Sequence, residues 1–224
     1  MVTYGGLRVP RTLEESCEPA RTALLVYDVQ AGIMRQIKHA PEVTARIVEV
    51  LAAARAAGVR VFFCRHLSLP KKLMGVTQLR MAMTWQRLDS AENVHPWFLR
   101  DSPAFQLIPE VAPQADEAIF DKITMSAFEG TPLNIALHDC GITTVVLVGA
   151  AMEVGIEPTV RHAHDLGYIP VVVRDACGAG HEAAAQRSLD SLAYAEDALL
   201  TDTQTLSAVF QRFAAAAAPA GTPS

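Results

Sequence analysis

Short, continuous apolar runs that alternate with helix-patterned segments constrain this chain more than any other feature. Residues 22–26, 59–64, 118–120, 143–148, 169–173 and 198–201 have strand length and end at turn signals. A strand apolar at every position is buried on both faces, as parallel strands are when helices cover the sheet. Between these runs, residues 41–57 place Val43, Ile47, Val50, Leu51 and Ala54 at helical spacing, with Pro41 early and Gly58 as a stop. Further helices are predicted over 132–138, 155–166, 181–196 and 205–215, with Pro158 tolerable because it lies in a first turn. The alternation predicts an α/β fold: a three-layer, six-stranded, mostly parallel sheet with right-handed crossovers and helices on both faces.

The chain has 224 residues, half of them hydrophobic and 19% charged, which suits one globular domain with a large core. Residues 1–20 read as an N-terminal arm, 21–215 as the domain, and the low-complexity 216–224 as a flexible tail. Weak periodicity and several prolines mark 65–113 as an insertion acting as a lid or a subunit interface. A formal net charge of −5 gives no electrostatic basis for binding nucleic acid. No apolar run reaches the roughly 18 residues needed to span a membrane, and no signal-peptide core is present. Cys17, Cys64, Cys140 and Cys177 lie far apart without C-x-x-C spacing, so free thiols in a cytoplasmic protein are expected. Neither a G-x-G-x-x-G nor a Walker-type loop is found, and no cofactor is expected.

Ligands of open parallel sheets bind outside the carboxyl ends of the strands. That rule selects Asp28, residues 64–66, Lys122, the 149–155 turn and residues 175–177. Asp28 and Lys122 each follow an apolar run. Converging on one pocket, they can tune each other and move protons; placed apart, they merely close their strands. After the run at 143–148, a tight turn leads into a helix start, whose free N–H groups suit an anion or a developing oxyanion.

Three segments, VYDVQ, DKITMSAFEGTPL and VVLVGAAMEVGIEPTVRHAHDLGYIPVVVRDAC, together resemble the isochorismatase-like hydrolases over about residues 20–210. The stretch from Lys122 to Leu133 carries the most specific part of that pattern. The resemblance implies an Asp–Lys–Cys triad, a cis peptide at Ala150–Ala151, and homodimers or homotetramers. Asp28 matches the Asp and Lys122 the Lys, but the cysteine position is Gly155. Glycine offers no nucleophile. True isochorismatases are similar to this chain in carrying glycine there and cleave a vinyl ether without a covalent step. Their turn resembles Tyr-Ala-His, whereas this chain reads Ala151-Met152-Glu153. A carboxylate at Glu153 would oppose a dianionic substrate unless it faces away, or it would serve as a base for water.

The catalytic set is therefore Asp28, Lys122 and Gly155. Expected substrate contacts are Gln30, His66, Trp85, Arg87, Phe128, Ala151 and Glu153. Arg80, Trp97 and Phe98 are further lining candidates from the insertion, and the aromatics could equally pack a lid or an interface. The Asp-x-His pattern that holds metal in related nicotinamidases is not reproduced by Arg65-His66-Leu67, so no metal is expected. The favoured reading is a cofactor-free hydrolase of a small carboxylate, with enol-ether cleavage preferred. Direct water attack on an amide, urea or carbamoyl group is the alternative. A non-catalytic binder of a small ligand or a protein is the third.

Overall fold

The computed structural model describes residues 1–217; the part of the expected tail from 218 to 224 lies outside the described residues. The chain opens with an exposed antiparallel ribbon, β1 (Val2–Tyr4) and β2 (Leu7–Val9). A single turn, α1 (Leu13–Ser16), then leads into β3 (Thr22–Tyr27). The next elements are α2 (Ala31–Met34), α3 (Ala40–Ala56), β4 (Arg60–His66) and α4 (Val76–Gln86). They are followed by β5 (Ala118–Lys122), α5 (Leu133–Asp139), β6 (Thr144–Ala150) and, after a π-type turn at Met152–Ile156, α6 (Glu157–Asp165). The chain ends in β7 (Ile169–Gly178), α7 (Glu182–Ala195), β8 (Leu199–Thr201) and α8 (Thr203–Ala217).

Six strands form one sheet in the order β5-β4-β3-β6-β7-β8, and every pairing is parallel. The period-2 alternation of a strand divides the core in two. Leu24 and Val26 of β3 face a layer built on Ile47, Val50 and Leu51 of α3 with Leu206 and Phe210 of α8. Ala23, Leu25 and Tyr27 face the opposite layer, with Leu133 and Leu137 of α5, Val160 of α6 and Leu192 of α7. The expected three-layer α/β sheet is therefore present. It is fully parallel and flanked on both faces.

Three elements depart from the sequence reading. The ribbon β1–β2 stands where an irregular arm was expected; its residues are exposed, so no apolar periodicity announced it. Helix α4 occupies the insertion that showed weak periodicity, and it has no buried residue to impose a stripe. Strand β7 runs five residues past the apolar run at 169–173, through the exposed Arg174 and Asp175.

The insertion is stitched to the end of β3. The amide of Ala31 donates to the Gln106 carbonyl at 2.8 Å, that of Gly32 to the Ala104 carbonyl at 2.9 Å, and that of Ile108 to the Val29 carbonyl at 3.1 Å. Phe98 and Phe105 are buried beneath it. Among the described residues no helix is long and apolar enough to cross a membrane.

Gly149, near the end of β6, pairs with Tyr27 at a φ of 131°, and a Cβ there would sit 2.0 Å from the Tyr27 carbonyl oxygen. Gly167 also has a positive φ, 89°, but faces open space. Gly149→Ala is expected to cost roughly 3 kcal/mol or more, lowering Tm by about 10 °C in a thermal melt. Gly167→Ala is expected to cost only about 1 kcal/mol. Equal losses in the two variants would count against the close approach at Gly149.

Candidate active site

The strand order runs outward in opposite directions from the β3–β6 pair, so a crevice opens beyond their carboxyl ends. Asp28 sits there, one residue past β3, at a φ of 49°. Aspartate tolerates this left-handed region better than most side chains. Its amide donates to the Cys64 carbonyl at 3.1 Å and its carbonyl accepts from Gln30 at 2.7 Å, which fixes the backbone turn.

Lys122 ends β5, two strands away, and reaches across the end of β4. Its Nζ lies 2.7 Å from Asp28 Oδ2, donates to the Thr124 carbonyl at 3.2 Å, and stands 4.3 Å above the Tyr27 ring. Asp28 and Lys122 are both buried, 4% and 3% exposed, a burial that two charges tolerate only when paired and hydrogen-bonded. The other carboxylate oxygen, Oδ1, accepts from the Cys64 thiol at 3.5 Å.

A cavity of about 260 Å³ opens onto Asp28. Tyr27 and Asp28 lie on its floor, His66, Trp85 and Phe98 come from the end of β4 and the insertion, and Ala151, Val154 and Gly155 come from the turn after β6. Ile33, Gln36, Ile37 and Met125 complete most of its wall. Among the described residues no arginine or lysine lines it. Arg65 and Arg100 are paired with Asp121 at 2.8 and 2.6 Å.

The Ala150–Ala151 peptide is cis. Beyond it, the amides of Val154, Gly155 and Ile156 all donate to the Ala151 carbonyl, at 3.2, 3.1 and 3.2 Å. The helix start was expected to present free N–H groups to an anion; these three of its amides are engaged by the Ala151 carbonyl. Gly155 has no room for a side chain, since a Cβ there would lie 2.0 Å from the Tyr27 hydroxyl oxygen.

Four expected substrate contacts are directed elsewhere. Gln30 is fully buried; its Nε2 donates to the carbonyls of His66 and Phe105 at 3.0 and 2.8 Å, and its Oε1 accepts from the His66 amide at 2.6 Å. It clamps β3, β4 and the insertion together and leaves no polar atom for a ligand. Glu153 turns away from the cavity, its Oε1 accepting from the His181 amide at 2.6 Å. Phe128 packs in the core, stacked on Tyr168 at 5.8 Å between centroids. Arg87 is exposed at the end of α4, in a left-handed conformation, outside the cavity wall. His66, Trp85, Ala151 and Gly155 do line the cavity.

Tyr27, Ile33, Gln36, Ile37 and Met125 were not anticipated. Ile33 belongs to a four-residue helix, too short for periodicity, and Gln36 and Ile37 follow it closely. Tyr27 reads in sequence as one more residue of a buried strand.

Neither buried thiol near the strand ends is activated. Burial, and then the adjacent Asp28 carboxylate, push the Cys64 thiol well above its ordinary range. Burial does the same to Cys177, which donates to the Leu147 carbonyl at 3.6 Å. Both stay protonated and are poor nucleophiles. His66 moves the other way: burial lowers its imidazole below the ordinary value of 6.5, so it is neutral near pH 7.

A sequence profile for the isochorismatase domain matches residues 22–205. Ureidoacrylate amidohydrolase RutB of Methylobacterium radiotolerans is 27% identical over 191 residues, covering 77% of this chain and 73% of that protein. The isochorismatase family protein YecD of Escherichia coli O157:H7 is 33% identical over 170 residues, covering 70% of this chain and 80% of the relative. The crystal structure of a cysteine hydrolase from Pseudomonas syringae pv. phaseolicola superposes with a TM-score of 0.75 at 26% identity. That match covers 88% of this chain and 96% of the other.

The geometry yields two expectations. Lys122→Met or Asp28→Asn alone leaves one buried polar partner stranded and is expected to cost about 3–5 kcal/mol. The double substitution should cost clearly less than the sum, as chemical denaturation of all four proteins will measure; strict additivity would mean the two groups are uncoupled. His66 binds its proton more weakly folded than unfolded. Its contribution to stability is therefore full above pH 6.5 and is lost as pH falls through the lowered value. Tm should decline as pH falls below about 6.5, and more shallowly in His66→Gln.

Proposed function

The chain belongs to the isochorismatase family of hydrolases, and on that footing we propose that it hydrolyses the C–N bond of a small amide or ureido compound by direct attack of water. The observation that carries this reading is Asp28: a buried carboxylate, held by Lys122, opening onto an apolar cavity with no lining cation. The Lys122 ammonium is already committed to Asp28, the Thr124 carbonyl and the Tyr27 ring, so it positions the carboxylate rather than gripping a substrate anion.

In the proposed reaction, Asp28 removes a proton from water as the water oxygen bonds to the substrate carbonyl carbon. The C–N bond of the tetrahedral species then breaks, and Asp28 returns the proton to the departing nitrogen. The products are a carboxylic or carbamic acid and ammonia or an amine, with no covalent enzyme intermediate. This route suits a site in which no side chain stands at Gly155 and the Cys64 thiol is held protonated. Neutral His66 and Gln36 on the wall offer hydrogen-bonding groups for an uncharged polar function. The names of the amidohydrolase relatives support the same bond class.

Enol-ether cleavage, first suggested by the glycine at 155, has less support from this cavity. A dicarboxylate would enter an apolar space without a lining arginine or lysine, and uncompensated burial of two charges is costly. A purely binding role leaves unexplained why a buried, ion-paired Asp28 carboxylate faces the cavity.

Purified protein is expected to release ammonia from short aliphatic amides or N-alkyl ureas in a coupled assay. Asp28→Asn should reduce that release by about 100-fold or more while a melting curve shows it folded. Pyruvate release from an enol-ether dicarboxylate, without ammonia from any amide or urea, would replace the C–N assignment by the C–O one.

A further inference from the structure

Tyr27 is the one polar group on the cavity floor that the mechanism above does not use. As the last residue of β3, it follows Ala23 and Leu25 onto the face toward α5, α6 and α7, and its ring passes under the 150–156 turn. The hydroxyl comes so close to Gly155 that no side chain fits between them; a Cβ would meet the oxygen at 2.0 Å and the ring at 2.5 Å. Phenol and glycine thus share one space, and the phenol fills it. Lys122 Nζ, 4.3 Å from the ring centroid, holds the ring by a cation–π contact.

Amide hydrolysis needs a donor where negative charge develops on the carbonyl oxygen. The amides of Val154, Gly155 and Ile156 already donate to the Ala151 carbonyl, so a side-chain donor is called for beside the amides of residues 151–153. We propose that the Tyr27 hydroxyl is the catalytic residue that donates a hydrogen bond to the substrate carbonyl oxygen as it becomes an oxyanion. The assignment rests on the hydrolytic reading above.

At rest, the hydroxyl proton is held by the Met125 carbonyl, so a rotation about the C–O bond delivers it to the substrate. An oxyanion is a stronger acceptor than a neutral carbonyl, which makes the exchange favourable in the transition state and not in the ground state. Burial and the neighbouring Asp28 hold the phenol well above its ordinary range, so it keeps its proton at every pH at which the protein works. A protonated phenol is a poor nucleophile, and the same property makes it a dependable donor.

Two measurements on Tyr27→Phe test this, since the ring and its packing survive. On any amide or urea that the wild type hydrolyses, the variant is expected to lose about 100-fold in kcat with KM changed little. The second measurement does not need a substrate. Propylboronic acid, whose hydrated form is a tetrahedral anion, is titrated into wild type and variant and followed by boron NMR. The wild type is expected to hold the tetrahedral form and Tyr27→Phe to bind it at least about tenfold more weakly, since one charge-assisted hydrogen bond is lost. Binding that depends on Tyr27 without turnover of any amide or urea would keep this assignment and sink the C–N reaction. Turnover at the wild-type rate in a folded Tyr27→Phe, or no boronate binding by the wild type, would overturn the assignment.

Discussion

The contact between Lys122 Nζ and Asp28 Oδ2, 2.7 Å long and shut away from water, is the constraint around which this end of the molecule is arranged. Two charges in that position are stable only as a pair, so the ends of β3 and β5 must be held at one distance even though β4 lies between them. Gln30 meets that requirement. By clamping both backbone groups of His66 and the Phe105 carbonyl, it ties β3 to β4 and to the insertion through three hydrogen bonds. The residue expected to touch substrate is thus part of the frame that keeps the ion pair in register. The same frame places His66 and Phe98 on the cavity wall.

The central strands were legible in sequence because β3 and β6 are buried at every position, which removes charged residues from them. Elsewhere legibility depended on whether a short apolar run survived, as it did in the half-exposed edge strands β5 and β8. Strand β7 continues through exposed Arg174 and Asp175, and α4 buries none of its residues, so neither left an apolar pattern. Asp28 and Lys122 stood out as charges at the ends of apolar runs, and the structure brings them together. Glu153 and Phe128 show the reverse. A carboxylate on a functional turn and an aromatic in a signature segment were placed at the site by sequence position, yet position along the chain says nothing about side-chain direction. One carboxylate oxygen of Glu153 satisfies the His181 amide, and the Phe128 ring packs on Tyr168.

Tyr27 was missed for a more instructive reason. In a strand read for burial, tyrosine counts as another large apolar residue. Its strand register held the clue: alternation puts residues 23, 25 and 27 on one face, the face over which the turn after β6 begins its helix. A glycine on that turn leaves a volume that some other side chain must fill, because protein interiors do not keep voids of that size. Glycine at 155 was read as the loss of a nucleophile and as a likeness to true isochorismatases. In the folded protein it is also the space that admits the Tyr27 phenol.

The proposed preference for uncharged substrates rests on where the cations are placed. The chain has 19 lysines and arginines, yet among the described residues none lines the cavity; Lys122 is paired with Asp28, and Arg65 and Arg100 with Asp121. What remains on the wall is aromatic and aliphatic, with Gln36 and neutral His66 as its polar members beside the floor. Such a cavity strengthens every electrostatic interaction made inside it while giving a free anion nothing to pair with. Charge that exists only in a transition state is treated differently from charge carried in by the substrate. The first needs a donor aimed at one atom, whereas the second needs a counter-ion on entry. On the proposed reading, a wall with hydrogen-bonding groups and no lining cation tolerates charge that develops better than charge that arrives.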